Sequence, residues 1–301
     1  MKKKTIEKVL NAKFNSFIKS IKDDVVKKLV EENTIITGGC VASMFLKEDV
    51  NDYDIYFRNI ETVEAVANYY VKEFQKNKKK AKEMKVTVNE GRVCIMIRSS
   101  GIESDTTDND EYMYFEQLDP GDPRTEEFVQ NALEFDKDKK TVKKEIYKPI
   151  FLTSNAITLS NDIQLILRFY GNPEEIHVNY DYIHCTNYWT SWDKKVVTKS
   201  DALESLLSKE LKYTGSLYPI CSLIRMRKFL KRGWSVTAGE IFKMAWQVAK
   251  LDLNDTKVLQ DQLIGVDVQY FHQLITLMKK AEKENIDIDY AYIVKLIDEI
   301  F

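Results

Sequence analysis

Apolar residues recur at steps of three and four in several stretches of the chain, and this spacing predicts amphipathic helices. The stretches with this pattern in the first part of the chain are 5–32, 40–46 and 61–75. A further short helix is predicted at 173–178, because Pro173 is a residue type favoured in the first turn of a helix.

Runs of β-branched and aromatic residues predict the strands. Residues 52–57 alternate between the two faces expected of a strand, and 86–98 have the pattern of a hairpin with a glycine-containing turn. Residues 157–169 are either a strand or a buried helical turn. Residues 178–189 are dense in aromatic side chains and are predicted as one more strand.

From about residue 199 onward, the apolar residues show helical spacing only. The stretches concerned are 201–209, 222–231, 238–250, 258–263, 268–284 and 290–300. The acidic segment 101–124 contains a Pro-Gly-Asp-Pro run and is predicted as a long loop or insertion. We therefore predict an α+β protein, with a mixed β-sheet flanked by helices in residues 1–198 and a helical domain in residues 199–301.

Composition narrows the class of protein. Lysine and arginine number 45 against 47 acidic residues, so a uniformly basic nucleic-acid-binding protein is excluded while a local basic patch is not. The four cysteines form no Cys-x-x-Cys pair, which argues against a zinc motif and a disulfide framework. No apolar run approaches the ~18 residues of a membrane helix, so we expect a cytoplasmic protein without a membrane partner.

Asp52 and Asp54 are the leading candidates for metal-binding and catalytic residues. The same Asp-x-Asp spacing recurs elsewhere in this acid-rich chain, so the setting of the pair matters more than the spacing. On a strand the two carboxylates lie on one face, where they repel each other unless a cation lies between them. Mg²⁺ prefers such oxygen ligands. Gly38 and Gly39 precede a predicted helix and allow a phosphate group to approach the backbone N–H groups closely.

Together these four residues resemble the signature of the nucleotidyltransferase superfamily typified by DNA polymerase beta. In that superfamily a Gly-Gly or Gly-Ser pair precedes an Asp-x-Asp strand by about a dozen residues. Further blocks are similar to divergent viral or phage-type members, and these are 163–169, 173–176, 180–185 and 225–234. The resemblance implies a third carboxylate on a later strand. Asp181 is the leading candidate for it and Asp162 the alternative.

The resemblance also implies the ligands of the site. Asp52, Asp54 and Asp181 would hold two Mg²⁺ ions around a nucleoside triphosphate, with ATP or CTP expected first. The residues expected to contact the nucleotide are Gly38, Gly39, Ser43, Ser154, Asn155, Arg225, Lys228 and Arg232. The last three share one face of a predicted helix, where phosphate or RNA contact and simple solvation are equally expected. For Ser154 and Asn155 a turn role is at least as strongly indicated.

The function implied by this resemblance is transfer of a nucleoside monophosphate from a triphosphate to a hydroxyl group, with release of pyrophosphate. The first acceptor to expect is an RNA 3′ end, including that of tRNA. Two alternatives stay open. One is transfer onto a side-chain hydroxyl of a partner protein, as in toxin-like members of the superfamily. The other is a non-catalytic module that binds nucleotide or nucleic acid or serves in assembly.

Overall fold

The computed structural model describes residues 1–77, 84–89, 91–98, 112–113 and 147–253, and positions 258, 262, 294 and 295. Most of the predicted acidic loop at 101–124 lies outside the described residues. So do the predicted helices at 258–263, 268–284 and 290–300, apart from single positions. The predicted domain boundary near residue 198 therefore stays a prediction. Among the described residues, no helix combines the length and the apolar character needed to cross a membrane.

Both helices and strands occur along the described chain. The helices are α1 (Lys3–Ser20), α2 (Asp24–Asn33), α3 (Gly39–Leu46), α4 (Ile60–Asn77), α5 (Pro173–His177), α6 (Ser200–Ser208), α7 (Pro219–Lys231) and α8 (Ala238–Val248). The strands are β1 (Thr34–Thr37), β2 (Tyr53–Phe57), β3 (Met84–Asn89), β4 (Arg92–Arg98), β5 (Tyr112–Met113), β6 (Pro149–Leu152), β7 (Ala156–Leu159), β8 (Ile163–Tyr170), β9 (Tyr188–Thr190), β10 (Val196–Val197), β11 (Glu210–Leu211) and β12 (Ser235–Val236).

The central sheet has seven strands in the order β10-β9-β1-β2-β8-β7-β6. It is mixed, because β2 and β8 run parallel while its other neighbouring strands pair antiparallel. Strands β3, β4 and β5 form a second sheet, and the β3–β4 pair confirms the predicted hairpin. The α+β class, with a mixed sheet flanked by helices, is confirmed.

The two faces of the central sheet bury different clusters. One face packs against α1, α2 and α4 in the main core, to which Ile55 and Phe57 of β2 contribute. The other face carries a smaller cluster that contains Tyr56, together with Ile35 and Ile176. The strict alternation along β2 therefore places Asp54 on the face of Tyr56, away from the main core.

A third cluster joins the helical part to the α/β part. Tyr182, Tyr213, Trp234 and Met244 pack together with Ala42 of α3. The hydroxyl of Tyr182 also donates a hydrogen bond to the backbone carbonyl of Ser222 at 2.7 Å. Tyr182, from the predicted 178–189 strand, thus packs between the two parts.

Three predictions about secondary structure need correction. The helix predicted at 5–32 is two helices, because the Asp23 side chain accepts hydrogen bonds from the N–H groups of Val25 and Val26 and starts α2 anew. The segment 157–169 contains two antiparallel strands, β7 and β8. The strand predicted at 178–189 is wrong: a 3₁₀ turn occupies Ile183–Cys185, and pairing begins only at Tyr188.

Candidate nucleotide-binding site

The acid pair lies where β2 begins. Asp52 directly precedes the strand and Asp54 lies within it, and both side chains are half-buried. Ile55, next to Asp54, is only 1% exposed, which fixes the strand against the core. Because residues two apart on a strand share a face, both carboxylates project from the second face of the sheet. Their partial burial makes mutual repulsion stronger than it would be in open water.

Gly38 connects β1 to α3 and packs directly against Asp54. Its φ of +89° lies in a region that L side chains rarely adopt. A Cβ atom added at Gly38 would lie 2.8 Å from Oδ2 of Asp54. The N–H of Gly38 donates to the carbonyl of Cys185 at 3.1 Å. The turn is therefore shaped by the absence of a side chain, and it faces the acid pair.

Gly39 is the first residue of α3 and has a different environment. It is exposed, and a Cβ atom there would meet nothing within 4 Å. The first N–H groups of a helix have no partner within the helix and attract anions. The start of α3 thus presents free space and backbone donors beside the Asp54 carboxylate.

The acid pair changes the ionisation of its neighbours. Burial raises the pKa of the Cys40 thiol well above its usual value, and the charges of Asp54 and Asp52 raise it further. Burial, followed by the neighbouring Tyr56 and Asp54, likewise raises the pKa of Tyr180. The hydroxyl of Tyr180 lies 3.4 Å from the position of a Cβ at Gly38. The Cys40 thiol and the Tyr180 hydroxyl beside the pair are therefore neutral at physiological pH.

A series of side-chain hydrogen bonds, largely buried, supports the glycine turn. The Lys199 ammonium donates to Nδ1 of His177 at 3.1 Å, so the other ring nitrogen, Nε2, carries the proton. Nε2 lies 2.8 Å from Oγ1 of Thr37, whose hydroxyl in turn donates to the carbonyl of Asn187 at 3.1 Å. Thr37 pairs with Asp54 across β1 and β2 and immediately precedes Gly38. His177 is therefore a positioning residue for the turn.

Acidification is expected to weaken the fold through two buried histidines. Burial lowers the pKa of both His177 and His184 to about 3, with additional contributions from Lys199 and Arg232 respectively. An unfolded histidine titrates near 6.5, so below that pH the unfolded chain takes up protons that the folded chain refuses. The stabilising contribution of these two neutral histidines is fully present above pH 6.5 and falls as the pH drops toward 3. Urea unfolding at pH 7 and pH 5 should show a loss of roughly 2 kcal/mol for each histidine.

His184→Phe gives the matched control for that measurement. The imidazole of His184 packs against Phe229 and Trp234 at ring distances of 4.8 and 4.6 Å, so a phenyl ring suits the site. The variant should lose about half of the pH dependence. Equal stability of the unmodified protein at both pH values would contradict the burial of neutral histidines.

Asp181 is held differently from the acid pair. Its carboxylate forms an ion pair with Arg225 of α7, and its backbone carbonyl accepts the N–H of Thr214 at 2.8 Å. Burial, followed by the charges of Asp181 and Asp54, raises the pKa of Cys185 to about 12, so both acids lie near this thiol. Even so, no group of three or more histidine, cysteine, aspartate or glutamate side chains is placed to hold a metal ion within the described part of the chain. The structure brings Gly38 to Asp54 but does not assemble the three predicted acids as one ligand set.

The predicted basic face of α7 is partly neutralised. Arg225 binds Asp181, and Arg232 forms an ion pair with Glu48, just beyond α3. Lys228 is exposed. Phosphate or RNA contact by these residues stays a prediction, and it requires that the two arginines exchange their present partners.

The remaining predicted contacts lie at other places. Ser43 is half-buried within α3, where its backbone carbonyl accepts the N–H of Glu48. Asn155 accepts a hydrogen bond from Arg92, and the carbonyl of Ser154 accepts the N–H of Ile95. Ser154 and Asn155 thus hold the β3–β4 hairpin against the central sheet. Their predicted contact with a base or ribose stays a prediction.

Comparison with known proteins identifies the family. Residues 8–209 match the family described as Gabija anti-defense 2 family protein, abbreviated Gad2. The chain belongs to the Gad2 family. The matched range includes the glycine turn, the acid pair and Asp181, and it ends before α7. No curated protein matches this Gad2 chain significantly.

Solved structures with a similar arrangement are distant from this Gad2 family chain. The CCA-adding enzyme of Thermotoga maritima in complex with tRNA is 8% identical, with a TM-score of 0.42 and coverage of 93% of this chain and 51% of that one. The CCA-adding enzyme of Bacillus stearothermophilus in complex with CTP is 10% identical, with a TM-score of 0.38 and coverage of 88% and 52%. The chain thus spans about half the length of these two enzymes.

Proposed function

We propose that this chain binds a nucleoside triphosphate at the acid pair and transfers its nucleoside monophosphate to a hydroxyl group. The contact of Gly38 with the Asp54 carboxylate, at the start of α3, carries the proposal. It combines the elements that a metal–triphosphate complex needs, which are paired oxygen ligands and adjacent backbone donors for phosphate. The glycine turn explains why no side chain obstructs the space between them.

The donor set fits one divalent cation. Asp52 and Asp54 supply two half-buried carboxylates on one face, and Mg²⁺ commonly binds proteins through one or two carboxylates plus substrate phosphates. Bound there, the ion neutralises phosphate charge and polarises the α-phosphoryl group. Asp181 is paired with Arg225, so its part in holding a second ion stays a prediction.

The chain's own residues would act mainly by positioning. Asp52 and Asp54 would hold the cation, and the first N–H groups of α3 would bind phosphate oxygens beside them. Gly38 lets the turn pack against Asp54, Gly39 leaves open space at the start of α3, and the Thr37–His177–Lys199 chain holds the turn in place. The attacking hydroxyl would give up its proton to water and bond to the α-phosphorus, the bond from that phosphorus to the bridging oxygen would break, and pyrophosphate would leave.

The proposal has two versions, which differ in the acceptor of the nucleoside monophosphate. An RNA 3′ end, including that of tRNA, is the acceptor that the sequence suggests first. Membership of an anti-defense family favours instead a side-chain hydroxyl on a protein of the opposed defence system. The partial neutralisation of the α7 face by Asp181 and Glu48 also supports the protein acceptor, because RNA contact needs free positive charge.

A second candidate function is nucleotide binding without transfer. The Asp181–Arg225 ion pair favours it, since a carboxylate already paired with a guanidinium is a poor ligand for a metal ion. In this case the chain would act by sequestering a nucleotide or by presenting a nucleotide-bound surface to a partner.

Incubation with each α-labelled nucleoside triphosphate, Mg²⁺ and either total RNA or cell lysate tests these functions. Label in RNA supports the first acceptor and label in protein supports the second. Binding of nucleotide without any transfer of label supports the non-catalytic function. The Asp52→Ala/Asp54→Ala double variant should lose label and nucleotide binding together. Transfer that persists in the double variant would rule out this site as the catalytic centre.

A further inference from the structure

Strand β8 lies beside the acid pair and determines which side chain is the next neighbour of Asp54. Strand β8 runs parallel to β2, and the register pairs Tyr53 with Ile163 and Asp54 with Gln164. Parallel neighbours lie about 4.8 Å apart and point to the same face when they are paired. Gln164 is therefore the cross-strand neighbour of Asp54 on the β8 side.

Burial confirms the face on which Gln164 lies. Ile163 and Leu165, on either side of it, are buried in the main core. Ile166 packs with Tyr56 in the smaller cluster on the opposite face. Gln164 is half-buried and alternates with the core residues, so it shares the second face with Asp54 and Tyr56.

A polar row crosses the sheet at this level. On the other side of Asp54 the register places Thr37, and beyond Gln164 it places Thr158 of β7. Thr37 is already bonded to His177. The position from which a third carboxylate would most directly share a cation with Asp54 is thus occupied by a neutral amide.

Neither other candidate acid replaces the missing carboxylate. Asp181 is paired with Arg225. Asp162 lies in the turn before β8 with a φ of +58°, and its backbone carbonyl accepts the N–H of Tyr53. It forms no three-acid group with Asp52 and Asp54 in the portion of the chain that the structure describes.

We infer that this site holds one divalent ion with its nucleotide, and that the Gln164 amide contacts an oxygen of the nucleotide or of the acceptor in place of a second ion. The inference rests on the proposed binding of a metal–nucleotide complex. Two ions about 4 Å apart need shared carboxylates to offset their charge, and the pair supplies only two. One ion plus phosphate oxygens satisfies two carboxylates.

Counting bound Mn²⁺ by electron paramagnetic resonance tests this directly. The full chain is titrated with Mn²⁺ in the presence of one equivalent of a non-hydrolysable triphosphate analogue, and the free-ion signal is measured. One tightly bound ion per chain is expected. Two ions would overturn the inference and leave the proposed function standing. No bound ion and no bound analogue would overturn both.

Gln164→Asp provides a gain-of-binding test. It adds a carboxylate beside Asp54, and the count should rise from one ion to two. Thr158→Asp is the matched control, because it adds the same charge in the same row but one strand further from Asp54, and its count should stay at one. A folded Gln164→Asp chain that still binds one ion would overturn the inference. If this variant does not fold, the count for the unmodified chain decides alone.

Discussion

Replacing Asp54 with asparagine is expected to lower nucleotidyl transfer by at least about 100-fold while changing the free energy of unfolding by no more than about 1 kcal/mol. The carboxylate supplies charge that the metal–triphosphate complex needs, whereas the nearly isosteric amide keeps the shape of the side chain against Gly38. Removing one of two neighbouring like charges also relieves repulsion in the free protein. The rate of label transfer and a urea unfolding curve measure the two quantities.

Asp24→Asn is the matched control for this variant. Asp24 is exposed in the first turn of α2, so the same change there should leave transfer unaltered. Full activity of Asp54→Asn would show that Asp54 does not hold the nucleotide. A large loss of stability would show instead that Asp54 is a structural residue, whatever its effect on transfer.

Local patterns were sufficient to predict the acid pair and its turn. The alternation in 52–57 predicted a strand, and the structure forms β2 at Tyr53–Phe57. The glycines predicted the close approach of a phosphate, which stays a prediction; the structure shows Gly38 packed directly against Asp54. Both features depend on short segments, in which period and residue type determine the conformation.

The partners of the pair depended on long-range pairing, which periodicity does not encode. The aromatic residues around Asp181 predicted a strand, but Tyr182 packs between the two parts of the protein and Tyr180 packs with the smaller cluster on the sheet. Its ion pair with Arg225 joins positions 44 residues apart. A shift of one residue in the β2–β8 register would have turned Gln164 to the other face, and the sequence contains no local signal for that register.

The contacts of His177 also depend on long-range pairing that local sequence patterns do not encode. Its side chain is buried, with 7% exposed. Its contacts with Thr37 and Lys199 join three separate segments, and these contacts place it beneath the glycine turn. The positioning role of His177 therefore follows from the fold and not from residue type.

Gly38→Ala is expected to damage both stability and function. An alanine at a φ of +89° is strained, and its Cβ would lie 2.8 Å from the Asp54 carboxylate. The free energy of unfolding should fall by roughly 1–3 kcal/mol. Because relief of the contact moves Asp54 away from the turn, nucleotidyl transfer should fall on the order of 100-fold. Thermal unfolding and the rate of label transfer measure these effects.

Gly39→Ala separates the backbone requirement of the turn from the approach of the nucleotide. The added methyl group meets nothing within 4 Å, and Gly39 lies in helical conformation, so stability should stay constant or rise by up to about 1 kcal/mol. The methyl group does enter the space beside the first N–H groups of α3. If a phosphate occupies that space, Gly39→Ala should weaken nucleotide binding while unfolding is unchanged. Unaltered binding in Gly39→Ala, together with loss of binding in Gly38→Ala, would place the phosphates away from the start of α3 and leave Gly38 a purely conformational role.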